Sequence, residues 1–89
     1  MRQRYKEEVE RINKAAAFFA CRGYHVDTTF HSNYNSIALC IFFNQENERE
    51  TIENHLNCYA GENDTVAFHE HIIGKNAKFY TLTLTTRSS

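Results

Sequence analysis

An α+β fold with the element order αββαββ is predicted by three features of this sequence. A helix–strand–strand order is written twice, first over residues 4–43 and again over 47–86. Two segments repeat apolar residues at the 3.6-residue helical period, and four repeat them in the two-residue period of a strand. The chain has 89 residues, which is the size of one domain, expected to span 1–89.

The first helix is expected over residues 4–22. Tyr5, Val9, Ile12, Ala16 and Phe19 recur at steps of four and three, which places them on one stripe. Glu7 with Arg11, and Glu10 with Lys14, stand four residues apart in the order that favours helical ion pairs. Gly23 sits where a helix ends in a left-handed residue. From Tyr24 to His31 the period changes to two. Tyr24, Val26, Thr28 and Phe30 point one way, and His25, Asp27, Thr29 and His31 the other. Ser32–Asn35 reads as a turn. Ser36 to Phe43 is a second strand, apolar on both faces and therefore expected in the middle of the sheet.

The second helix is expected over residues 47–60, with Asn44 or Asn47 as its cap. Asn47 followed by Glu50 is a variant of the capping box. Ile52, Leu56 and Tyr59 form its apolar stripe, and Gly61 is expected to close it. Thr65 to Ile73 is the third strand, with Val66, Phe68, Glu70 and Ile72 opposite Ala67, His69, His71 and Ile73. A tight turn at Gly74–Asn76 leads into Phe79 to Thr86, where Tyr80, Leu82 and Leu84 alternate with threonines. Residues 87–89 read as a frayed tail.

The order αββαββ resembles a ferredoxin-like fold with its first strand moved to the end. That plan implies a four-stranded, antiparallel-rich sheet carrying both helices on one face. The opposite face is then uncovered. Alternation assigns to it His25, Asp27, Thr29 and His31, then Ala38, Cys40 and Phe42. The second half contributes His69, His71 and Ile73, together with Phe79, Thr81, Thr83 and Thr85. Four of the five histidines and two phenylalanines therefore share one uncovered surface.

Composition narrows the function classes. Hydrophobic residues make up 42% and aromatic residues 13%, which is enough to fold and argues against disorder. No apolar run approaches the roughly 20 residues that span a bilayer. The first eight residues are charged rather than apolar, so a secretory leader is not expected and a cytoplasmic location is. Three cysteines at long spacings and no proline make neither a disulfide framework nor a rigid linker. Net charge is −1 but unevenly spread: residues 1–22 hold six basic and three acidic side chains, and residues 44–64 hold six acidic and one basic.

No catalytic device is written in the chain. There is no glycine-rich phosphate loop, no G-x-S-x-G and no H-E-x-x-H. The cysteines lie in apolar runs or near a helix C-terminus, where the helix dipole disfavours a thiolate. His69-x-His71 on a strand, and His55 with Cys58 on a helix, are each half of a zinc site. The two halves fall on opposite sides of the sheet, and His25 and His31 could complete a site with His69 and His71 only if the outer strands approached. Closed zinc sites show tighter ligand spacing, so no metal is expected, and no cofactor.

By elimination, the chain is expected to be a non-enzymatic protein-binding module and a homodimer. Its candidate contact residues are His25, His31, Phe42, His69, His71 and Phe79 on the uncovered face. Glu48, Glu50 and Glu53 on the acidic helix are a second set. An acidic end of this kind suits a small inhibitor, of the type phages and mobile elements use, that occupies the basic cleft of a host defence complex. The runner-up is a nucleic-acid-binding regulatory domain that stacks bases on the uncovered face. No RNP-like motif is present to support it.

Overall fold

The computed structural model describes residues 3–31 and 36–86, with side chains from residue 6 onward. The elements are α1 (Gln3–Cys21), β1 (His25–His31), β2 (Ser36–Phe43), α2 (Arg49–Asn57), β3 (Thr65–Ile73) and β4 (Ala77–Thr85), with a 3₁₀ turn at Glu46–Glu48 before α2. The predicted turn at Ser32–Asn35, the predicted tail at 87–89 and the predicted packing of Tyr5 lie outside the described residues and side chains.

The four strands form one sheet in the order β1-β2-β4-β3, every neighbour antiparallel. The last strand is thus inserted between β2 and β3. Those two run parallel to each other with β4 between them, and α2 makes the crossover that joins them. β2 is interior, as its two apolar faces require. Ile37, Leu39, Ile41 and Phe43 are buried and alternate with half-buried Ala38, Cys40 and Phe42.

Both helices pack on the face that carries Ile37, Leu39 and Ile41. Ile12, Ala15 and Phe19 of α1 and Ile52 and Leu56 of α2 close one core against β2 and against Tyr80, Leu82 and Leu84 of β4. Burying such a side chain fully is worth about 1.5–3 kcal/mol. The α1 stripe is rotated by about one position from the expected one: Ala15 is fully buried, while Val9 and Ala16 are only partly so. Glu8 is buried on this side of the helix as well.

α1 ends as its glycine predicts. Gly23 has φ of 90°, Gly23 N–H donates to the Ala20 carbonyl, and Tyr24 N–H to the Phe19 carbonyl. These two bonds define a Schellman motif. α2 departs from expectation at both ends. It is shorter, because the chain enters it through the 3₁₀ turn that contains Asn47, and no side chain caps it. Gly61 does not close it. Instead Gly61 N–H donates to Asp64 Oδ2 at 2.7 Å, in the turn that leads to β3.

That turn is tied to α1. Arg11 Nη1 donates to Asp64 Oδ2 at 2.5 Å and to the Tyr59 carbonyl at 2.7 Å. Sequence spacing paired Arg11 with Glu7 along one helix. The fold places it between α1 and the turn before β3, where Asp64 is withdrawn from water and the attraction is stronger.

Helix cover stops short of the sheet's ends. The β2–β4 ladder ends at Phe43↔Tyr80, but β3 and β4 continue as a two-stranded hairpin to Ile73↔Ala77. Glu70 and Ile72, which alternation assigned to the core side, are therefore exposed, Ile72 at 72%. Phe30, near the end of β1, is likewise 51% exposed rather than buried. Among the described residues, no helix is long and apolar enough to cross a membrane.

Candidate binding face

Strand register assembles the uncovered side into rows. One row runs His25–Phe42–Thr81–His69 across all four strands, and the next on the hairpin side pairs Phe79 with His71. The rings in these rows form a continuous chain. His25 and Phe42 have centroids 4.9 Å apart, and Phe42 and Phe79 are 6.1 Å apart. Phe79 and His71 stack at 4.5 Å with planes 7° apart, and His69 lies 6.3 Å from His71. Five of the six residues read from the sequence as the face's contact set are thus brought into one band.

Thr81 lies at the middle of this band. Its alternation puts it on the uncovered side, yet only 4% of it is exposed. Phe42 and His69 are its cross-strand partners, and its Oγ1 shares a hydrogen bond of 3.0 Å with His71 Nε2. Phe79 behind His71 and Thr81 beside it hold that imidazole in one plane. The sequence pattern placed Thr81 correctly but carried no sign of its role, since a threonine among threonines reads as ordinary strand surface.

The rest of the face is flat and small-residued. Asp27, Cys40, Thr83 and Ala67 make one row, and Thr29, Ala38, Thr85 and Thr65 the next. His31 belongs beyond these rows, opposite Ser36. Six residues of strand separate it from His25, a distance of about 20 Å, so it is not part of the aromatic band. Among the described residues, no Lys or Arg projects from this face. Among those residues, Asp27 is the face's one carboxylate.

Of the acidic set, Glu50 and Glu53 share one pocket on α2 with Arg49 and Asn54, and Glu48 lies in the 3₁₀ turn before the helix. Tyr24 Oη donates to Glu48 Oε1 at 2.9 Å, and Glu53 pairs with Arg49 at 3.5 Å within α2. Glu50 is exposed. Burial, together with the bond to Glu48, raises the Tyr24 phenol above its ordinary value. Glu48 also borders a pocket of ≈ 430 Å³ with Arg22, Tyr24, His25, Phe42 and Asn44. There one acidic candidate meets one end of the aromatic band. Arg22 lies 3.5 Å from the Phe18 ring centroid and Arg49 3.8 Å from that of Phe68.

Cys21 and Cys58 are exposed, and only Cys40 is half-buried. Among the described residues, no three His, Cys, Asp or Glu side chains converge as a metal-holding group. What the band offers is a shallow aromatic strip with an ordered imidazole, suited to stacking and apolar contact. The chain matches no known protein-family model and no curated protein sequence.

Proposed function

We propose that this chain is a non-enzymatic protein-binding module whose contact surface is the uncovered sheet face. The observation that carries this reading is the five-ring chain from His25 through Phe42, Phe79 and His71 to His69. Rings of this kind supply large rigid contact area at low entropic cost, and aromatic residues are enriched in protein interfaces. A small inhibitor that docks on a host or defence complex is one form such a module takes. Its support is the exposed carboxylates of Glu46, Glu50 and Glu62.

One observation favours a second reading, single-strand nucleic acid binding. Phe42 and Phe79 stand on the two interior strands as adjacent rings, the arrangement that base stacking needs. The charge of the face opposes it, because phosphate contacts are made chiefly by Lys and Arg.

The test uses the full chain and a Phe42→Ser, Phe79→Ser double variant with unchanged circular dichroism. Each is used as bait in extract of the source cells and titrated with labelled oligo-dT. A protein retained by the wild type and lost from the double variant supports the protein-binding reading. Equal retention by both overturns it. Saturable oligo-dT binding that weakens with salt and disappears in the double variant replaces it with the second reading.

A further inference from the structure

We infer that the outer edge of β3 is a self-association surface, on which a second copy of this chain adds its own β3 antiparallel about a twofold axis at His69. The inference concerns the sheet's edge and does not depend on the reading of its face.

An edge strand presents a row of unpaired backbone N–H and C=O groups, and monomeric proteins blunt such edges. The usual devices are lysine, proline, a bulge or a short strand. β3 has none of them. It runs nine residues, Thr65–Ile73, with no Lys or Pro. Its register against β4 is constant from Thr65↔Thr85 to Ile73↔Ala77, so no bulge twists the edge away. Its one charged side chain, Glu70, is paired with Lys78 at 3.1 Å in its own protomer. No uncompensated charge opposes the approach of another strand.

The twofold register about His69 uses the whole strand. It sets Ile72 opposite Val66 of the second copy and Ile73 opposite Thr65. These isoleucines are 72% and 57% exposed in the single chain. Nine residues paired in this way form about eight to ten intermolecular backbone hydrogen bonds, the number a standard protein interface carries. A register centred on Glu70 would oppose two carboxylates, and one centred on Phe68 would leave Ile73 beyond the partner's strand. β1, the other edge, offers seven residues.

Self-pairing at His69 brings two imidazoles within about 5 Å, the separation of directly opposed side chains. The groups around them on this face are His71 of β3 and Phe79 and Thr81 of β4. The nearest charges, Glu70 and Lys78, lie on the other face.

Light scattering on the full chain at two concentrations tests this. The expected result is a dimer whose share grows with concentration. His69→Lys, at an exposed site, is expected to weaken the dimer about a hundredfold or more with an unchanged circular dichroism spectrum. His69→Ala is expected to keep the dimer. Hydrogen exchange should show every β3 amide protected in the wild type and alternate ones exchanging in His69→Lys. A monomer at every concentration, or a dimer that survives His69→Lys, overturns the inference. So does a dimer abolished by Thr29→Lys on β1 or by Phe42→Ser, Phe79→Ser on the face. An intact dimer in the face variant with loss of its partner protein separates the two proposals.

Discussion

Replacing Asp64 with alanine tests what ties α1 to the turn before β3. The carboxylate is only 3% exposed and receives Arg11 at 2.5 Å, as well as Gly61 N–H at 2.7 Å. A hydrogen bond to a charged group contributes about 1.5–3 kcal/mol. The Arg11 side chain is 28% exposed, so water partly replaces its lost partner and the low end of that range applies. Loss of the Gly61 acceptor adds about 1 kcal/mol, which brings Asp64→Ala to about 2.5 kcal/mol of destabilisation. For a domain of this size that lowers Tm by about 10–20 °C. Asp64→Asn, which retains an acceptor for Gly61, should cost about 1 kcal/mol. Arg11→Ala should cost at least as much as Asp64→Ala, because it leaves a buried carboxylate without its cation. Urea denaturation followed by circular dichroism measures each variant and the Arg11→Ala, Asp64→Ala double. If Asp64→Ala lies within about 0.5 kcal/mol of wild type, or if the two substitutions simply add, the clamp is not what joins α1 to the β3 turn.

Three further outcomes are expected. Gly23→Ala should destabilise by about 1–2 kcal/mol, purely through φ of +90°, since nothing lies within 4 Å of the added carbon; a neutral result in thermal melts would contradict the Schellman assignment. Thr81→Val should cost about 0.5–1.5 kcal/mol, and the His71 ring should lose its fixed environment in NMR spectra while circular dichroism is unchanged. Stability should also fall in alkali. Burial first, then the Glu48 bond, raises Tyr24 above 10.0, and the bond to Glu70 raises Lys78 above 10.5. Both shifts favour the protonated forms in the folded state. The stability they confer is complete below about pH 10 and is lost as pH rises through the folded values. Urea midpoints at about pH 9 and about pH 11 should therefore differ by less in a Tyr24→Phe, Lys78→Met variant than in wild type.

Alternation along the chain determined more of this protein than any motif in it. A strand's side chains have a period of two, so once Ile37, Leu39 and Ile41 face the core, Ala38, Cys40 and Phe42 must face away. The same logic placed His25, His69, His71 and Phe79 on the uncovered side before any strand was paired. Gly23 was legible for a similarly local reason, because only a residue without a side chain takes that backbone angle at low cost. The second helix was less legible. The 3₁₀ entry at Glu46–Glu48 displaced Asn47 from the cap, and Gly61 closed a turn onto Asp64 rather than a helix.

Tertiary structure decided everything that depends on which strands are neighbours. The insertion of β4 between β2 and β3 puts Phe79 beside Phe42 and sets the buried Thr81 between Phe42 and His69. Tertiary folding also turned Arg11 from a helix-surface cation into the bond between α1 and the turn before β3, and brought Tyr24 to Glu48. Periodicity is a property of the backbone and is written in each segment. Long-range pairing is a property of how whole faces fit together, so the face could be read from the sequence while the band on it could not.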